Sequence, residues 1–234
     1  MPNDTFSFDT VKDFDKHIDV SIPNYSFVAK QVAQFAEYFA EENTYVYDLG
    51  CSTGKWLMSL RPKNKVKYVG IDISKNLLPS REIISSYEQK NPNVDINFID
   101  SDLTKFDFPT AQKPDARKTS VVVSLFTLQF LPREERKIII SKIRDSLLPG
   151  GIFVSCEKVL SSHSKFQDIT NSIYYEFKNQ SFSGDEILAK ERDLRTIMRL
   201  QTVEESIDDM RLIGEPEMFW RAYNFVGLIV RKEK

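Results

Sequence analysis

The stretch Tyr45-Val-Tyr-Asp-Leu-Gly-Cys-Ser-Thr-Gly54 reads as a strand that runs into a loop bounded by two glycines. Aromatic and β-branched residues favour the strand, and Asp48 near its end marks where the chain leaves a sheet. Gly50 can take backbone angles closed to other residues and lets a ligand press against the main chain. From Gly50 through Cys51 and Ser52 to Gly54, the loop N–H groups and the N-terminus of the next helix face whatever polar group sits there. The spacing is G-x-x-x-G, which differs from the G-x-G-x-x-G that packs against a pyrophosphate.

Outward from this stretch, strands and helices alternate. Strands are expected at 45–49, 67–72, 95–100, 119–125 and 151–156, with helices at 55–61, 75–89 and 133–147. The runs at 67–71 and 121–125 are apolar without alternation, as in parallel strands covered on both faces. Before them come a polar arm at 1–20 and an amphipathic helix at Tyr25–Glu42. Beyond Leu148-Pro-Gly-Gly151 and its strand, residues 164–213 read as helical with a break at 181–184, and strands near 216–220 and at 223–231 close the chain. The stretch 107–118 reads as a surface loop. The pattern predicts a doubly wound α/β domain over 21–234, with a mostly parallel seven-stranded sheet, an antiparallel C-terminal edge strand and a helical insertion or cap at 164–213.

Three acids follow strands in this pattern. Asp72 lies 22 residues beyond Gly50, where a carboxylate is placed to accept from both hydroxyls of a ribose. Ser74 competes as the cap of the next helix. Asp102, with Leu103 to cover a ring, is placed to accept from an adenine amino group, and Asp100 is the competing acid. Asp48 sits in an apolar strand end and needs a partner such as an ammonium group. Glycine loop and acids together suit a nucleoside with a ribose and an amino-acid tail but no phosphates, which points to S-adenosylmethionine.

Composition narrows the field further. A net charge of −2 gives no general attraction to nucleic acid or to an anionic membrane, although a local basic surface stays open. No apolar run is long enough to span a bilayer, and Met-Pro-Asn-Asp-Thr lacks a basic and apolar leader pattern. Two cysteines and two histidines offer neither a His/Cys zinc site nor a disulfide framework, so no metal is expected and a reducing cytoplasm is the default. The fourth strand runs on into Ser124-Leu-Phe-Thr-Leu-Gln-Phe130, without the Asn/Asp-Pro-Pro-Tyr/Phe sequence used to methylate exocyclic amines of nucleic-acid bases. Phe126 and Phe130 there read as core.

On the helical stretch that follows the break at 181–184, Lys190, Arg192, Arg195 and Arg199 read as a solvated face paired with Glu186 and Glu191, or as a surface for an anion or a partner. Tyr174 and Tyr175, with Phe177, either line a substrate cavity or bury a helix.

Several stretches resemble the carboxy-S-adenosylmethionine synthase family, which has the class I methyltransferase fold. They are Ser21-Ile-Pro-Asn-Tyr-Ser26, Tyr47-Asp-Leu-Gly-Cys-Ser52, Ile71-Asp72, Phe126-Thr-Leu-Gln-Phe-Leu131, Pro149-Gly-Gly151, Glu157-Lys158 and Tyr223-Asn-Phe225. The resemblance runs from about residue 20 to the end. It implies that Tyr25, the Gly50-Cys51-Ser52 loop, Asp72-Ile73 and Asp102-Leu103 contact S-adenosylmethionine or its carboxylated form. It also implies a homodimer, prephenate as the second substrate, phenylpyruvate as a product, and a carboxylated sulfonium that feeds wobble-uridine modification in tRNA.

Two positions depart from the family's pattern. The family's asparagine after the fourth strand falls on Leu125. The arginine that pairs with the added carboxylate falls on Glu191, with Arg192 one residue away. A carboxylate at contact distance from Glu191 would meet repulsion of about 4 kcal/mol at an effective dielectric near 20. These departures favour methyl transfer from S-adenosylmethionine to an undefined small-molecule acceptor, with Glu191 selecting a cation. Carboxy-S-adenosylmethionine synthesis is the second reading, and a non-catalytic binding module the third.

Overall fold

The computed structural model describes residues 14–61, 63–109 and 118–233. Most of the expected arm and of the expected 107–118 loop lie outside the described residues. In chain order the elements are α1 (Phe14–Ser21), α2 (Tyr25–Phe39), β1 (Tyr45–Leu49), α3 (Lys55–Ser59), β2 (Val66–Asp72), α4 (Arg81–Lys90), β3 (Val94–Asp100) and β4 (Thr119–Leu125). Then come α5 (Arg133–Ser146), β5 (Leu147–Lys158), α6 (Ser164–Lys178), α7 (Gly184–Ile197), α8 (Val203–Met210), β6 (Glu217–Ala222) and β7 (Phe225–Arg231).

The seven strands form one sheet in the order β3-β2-β1-β4-β5-β7-β6. The first five are parallel, and β7 runs antiparallel to both β5 and β6, so the reversed strand lies one place in from the rim. Successive residues of a strand point to opposite faces, and here both faces are covered. Val46, Val121, Val123, Ile152 and Val154 pack with Val28, Val32 and Ala36 of α2. Tyr47, Leu49, Val122 and Phe153 pack with Ile139, Ile140 and Ile143 of α5 on the other side.

Two helical stretches are shorter than their periodicity predicts. The expected helix at 75–89 is a single 3-10 turn over Lys75–Leu77, followed by α4 from Arg81. Pro79 disfavours helical angles at Leu78, and Ser80 caps α4 by accepting from Ile83 N. The helical stretch after 164 is divided into three by Ser183 and Thr202, each in a capping box with the glutamate three residues on. Glu186 therefore serves its own helix end and pairs with no basic side chain of α7.

The strand order reverses direction between β1 and β4. In open α/β sheets the crevice outside the carboxyl ends at such a switch point is where ligands bind.

Candidate functional site

A cavity of about 1230 Å³ opens at this switch point. Pockets of roughly 300–1,000 Å³ hold one drug-sized ligand, so there is room for an adenosyl compound and a second small molecule. Its floor is the strand ends and its far wall is α6 and α7. Tyr25, Asp48, Gly50, Cys51, Ser52, Asp72, Ile73, Asp102, Leu103, Leu125 and Tyr174 all line it.

The glycine loop is shaped from two directions. Gly50 has φ of 75°, and a Cβ added there would meet Thr127 Oγ1 at 2.1 Å. Backbone conformation and close packing both demand glycine. Asp72 accepts from Ser52 N at 2.8 Å and from Ser74 N at 2.7 Å, so it fastens the loop to the end of β2. Each oxygen of an ionised carboxylate accepts more than one hydrogen bond, so the same group can also meet a diol. Ser74 is thus a donor to Asp72, and its side chain caps nothing.

Asp48 is 2% exposed. Burial, and then the charge of Asp72, push its carboxyl group up to about 8. Tyr25 lies close, its phenol pushed well above the usual range by burial and then by Asp48. Burial likewise raises the Cys51 thiol, so it is no nucleophile near neutral pH. Ser52 Oγ is buried with no hydrogen-bond partner among the described residues. A buried acid and an orphaned hydroxyl, both on the cavity wall, fit an adenosyl compound carrying a cation.

Asp102 lines the cavity, whereas Asp100 is exposed on the strand end. Asp102 Oδ1 accepts from Thr104 N at 2.9 Å and Thr104 Oγ1 at 2.8 Å, and these bonds hold its carboxyl group below the usual carboxylate range.

Four sequence-derived candidates fall elsewhere. Gly54, with φ of 68°, caps α3 and packs on the Phe98 ring rather than lining the cavity. Tyr175 is half-buried outside the lining, and Arg192 is exposed. Glu191 is buried behind the wall, 3.3 Å from Lys158 Nζ and 3.8 Å from Arg195 Nε. The repulsion expected of Glu191 is therefore neutralised, and it selects no cation from this position. A single residue step along α7 explains the difference, because Lys190 points inward where Glu191 points to β5.

The lining also includes groups that periodicity and spacing place elsewhere or do not single out. Phe126 follows β4 with φ of 61°, rare for an aromatic residue, and meets the cavity as well as the core, whereas Phe130 is half-buried in the cavity lining and belongs to neither core cluster. Lys158, at the end of β5, and Lys178, at the end of α6, are 8% and 3% exposed and both face inward. Their ammonium groups lie 5.0 Å and 5.6 Å from the Tyr174 ring centre, and the Tyr174 hydroxyl donates to Ser21 O at 2.8 Å. Lys190 Nζ is 2.5 Å from His17 Nε2. Burial, then Lys190 and Lys178, hold the His17 imidazole neutral down to about 4, so it accepts from the lysine. Lys190 itself is lowered to about 8 by burial and then by Lys178. The cavity is thus acidic at the sheet and cationic at the cap. The Glu157-Lys158 pair in the sequence was the one signal for this end. The charge pattern of α7 offers Lys190 for an anion or a partner without placing it here, and Lys178 becomes visible only once α6 is folded over the cavity.

The sequence profile of the family described as "Methyltransferase domain" matches residues 47–153. The chain is 30% identical over 228 residues to a carboxy-S-adenosyl-L-methionine synthase of Staphylococcus epidermidis, covering 95% of this chain and 94% of that one. It is 30% identical to the enzyme of that name from a Shewanella species, covering 94% and 88%. Among solved structures it is similar to magnesium protoporphyrin IX methyltransferase from Synechocystis with bound SAH, with a TM-score of 0.57 at 16% identity over 96% of this chain and 89% of that one. Human N-acetylserotonin methyltransferase in complex with SAM gives 0.53 at 15% identity, covering 90% and 52%. The solved structures show the class I methyltransferase fold, and the near-full-length relatives make the protein an S-adenosylmethionine-dependent transferase. It belongs to the carboxy-S-adenosyl-L-methionine synthase family. No helix of the described residues is long and apolar enough to cross a membrane.

Proposed function

We propose that the protein converts S-adenosylmethionine and prephenate into carboxy-S-adenosylmethionine and phenylpyruvate. The observation that carries this reading is the cationic far end of the cavity, where Lys158, Lys178 and Lys190 face inward. Prephenate brings two carboxylates, and such an end attracts them where an acidic or apolar one would not. The near-full-length match to carboxy-S-adenosyl-L-methionine synthases supports the same reading over methyl transfer.

The chain's own groups divide the work. Asp72 meets the ribose hydroxyls, Asp102 and Leu103 meet the adenine, and Asp48 meets the cationic tail, with Tyr25, Ile73 and the Gly50–Ser52 loop closing around them. The S-methyl carbon, made acidic by the sulfonium, supplies the carbon acid of the chemistry. In the overall exchange that carbon gives up one proton and gains a carboxyl group. Prephenate gives up that carboxyl and its ring hydroxyl as it becomes aromatic, so phenylpyruvate and water leave. The protein's contribution is to align two ligands in a space that excludes bulk water. Under this reading the chain works as a cytoplasmic homodimer, and its product serves tRNA wobble-uridine modification.

Incubation with both substrates and mass spectrometry of the adenosyl product tests the proposal. A gain of one CO2 with phenylpyruvate release is the expected result, and an unaltered adenosyl compound after exhaustive incubation overturns it. Methyl transfer is the second reading. It is favoured by the apolar Leu125 in the lining, and it predicts S-adenosylhomocysteine as the product.

A further inference from the structure

Lys178 closes α6 with its ammonium group in the cavity wall, and only 3% of the residue is exposed. Among the described residues no carboxylate comes within 4.0 Å of it and it makes no hydrogen bond. Its neighbours are the Tyr174 ring at 5.6 Å and the Phe182 ring at 5.8 Å. Aromatic faces attract a cation, but they do not replace the hydrogen bonds of an ammonium group taken from water. Lys158, across the same tyrosine ring, has what Lys178 lacks, because Glu191 stands 3.3 Å from its Nζ. The cap thus holds one lysine in contact with an acid and one that feels Glu191 only at longer range and faces the cavity with no anion in contact.

We infer that Lys178 is the carboxylate-binding, specificity-determining residue for the second substrate, a task distinct from the pairing with the added carboxylate that the family resemblance would give to position 191. Glu191 cannot take that role, being an acid turned away from the cavity. It acts on the site through Lys158, neutralising that lysine so that the attraction for an anion is focused on Lys178. Lys190, braced by His17 at 2.5 Å, lines the same end and adds a second positive charge. A dicarboxylate therefore finds one point of direct contact and one of longer-range attraction. A ligand with a single carboxylate uses the Lys178 contact alone. A cationic acceptor is repelled by both.

This inference rests on the carboxylation reading only for the identity of the acid. Lys178→Met keeps the length and packing of the side chain and removes the charge, and Lys178→Gln carries the same expectation should the first variant fold poorly. Calorimetry with S-adenosylmethionine should give the wild-type dissociation constant within about twofold in both variants. Calorimetry with phenylpyruvate as the probe should show at least a tenfold loss of affinity. With prephenate, KM should rise more than tenfold while kcat changes less, and Lys178→Arg should restore most of the loss. Removal of an uncompensated buried charge should leave the melting temperature equal or higher. A merely structural lysine would not produce this split.

If the wild-type chain makes no carboxylated product but Lys178→Met still loses phenylpyruvate binding, the carboxylation reading falls and the anion site stands. If Lys178→Met carboxylates with an unchanged KM, the anion site falls and the reaction stands. Absence of any binding of phenylpyruvate or prephenate to the wild-type chain also overturns the inference.

Discussion

Asp48 and Asp72 face one cavity from the ends of adjacent strands, and the charge of Asp72 adds to burial in holding Asp48 protonated up to about pH 8. An acid raised in this way responds to a cationic ligand by releasing its proton. Affinity for S-adenosylmethionine should therefore strengthen as pH rises through about 8 and level above it. Asp48→Asn should weaken binding about tenfold and remove this pH dependence, as followed by calorimetry between pH 6 and 9.5.

The same shift bears on the ligand-free protein. An unfolded chain ionises the residue near 4, whereas the fold keeps it neutral to about 8. The folded-state value is raised, so the contribution is full below pH 4, declines as pH rises to 8, and stays low above. The slope is at most about 1.4 kcal/mol per pH unit. Urea unfolding at a series of pH values should show that slope in the wild-type chain and a flatter one in Asp48→Asn.

Gly50 and Thr127 give a second, purely steric expectation. Gly50→Ala would force a side chain into the left-handed region and against Thr127 Oγ1 at 2.1 Å and Cγ2 at 2.4 Å. Strain of this kind costs about 1–3 kcal/mol, and the displaced loop should lose S-adenosylmethionine binding altogether. Adding Thr127→Ala removes the two nearest atoms but leaves Cβ at 2.7 Å and the φ of 75°. Stability should thus recover in part while binding does not. Full recovery of binding in the double variant would show that the backbone angle is immaterial.

The cap is fastened by a buried arginine. Arg136, 1% exposed, donates to Glu157 at 2.9 Å, to Leu131 O at 3.0 Å, to Gln201 and to Arg199 O. Gln201 in turn donates to Asp209 at 2.7 Å. Arg136→Met would leave Glu157 as an unpaired buried acid, which costs about 3–5 kcal/mol. A second change, Glu157→Gln, should recover much of that loss, since replacing both partners removes the uncompensated charge. Denaturant midpoints of the two variants check this.

The sheet half of the site was readable because its chemistry is local. Gly50, Asp72 and Asp102 each follow a strand, and the carboxyl ends of parallel strands converge whatever the loops do. Gly54 departs from the expected lining for a local reason as well, since a glycine at a helix start serves the turn as readily as a ligand. The cap half was not readable. A 100° step along a helix separates Lys190, which faces the cavity, from Glu191, which faces β5, and charge periodicity on α7 does not say which side α6 or the sheet will cover. Lys178 gave still less warning, because a lysine ending an amphipathic helix ordinarily stays in water.

The pairing of Lys158 with Glu191 leads to an expectation opposite in sign to that for Lys178. Both members of the pair are buried and sit 3.3 Å apart, with Arg195 at 3.8 Å on the outer side. Burial lowers the Lys158 ammonium from its ordinary value, and Glu191 opposes that shift. Glu191→Gln would therefore leave Lys158 and Lys178 facing each other across Tyr174 with no anion between them. Stability should fall by about 3 kcal/mol, the lower end for breaking a buried pair, because Arg195 shows that water reaches one edge. The same change adds one net positive charge to the cavity, so phenylpyruvate should bind more tightly as the fold weakens. Loss of stability combined with gain of anion affinity is a signature that damaged packing cannot imitate, since a disordered cap would weaken both. A variant that lost affinity for the anion together with stability would instead show that Glu191 acts only by holding the cap in place.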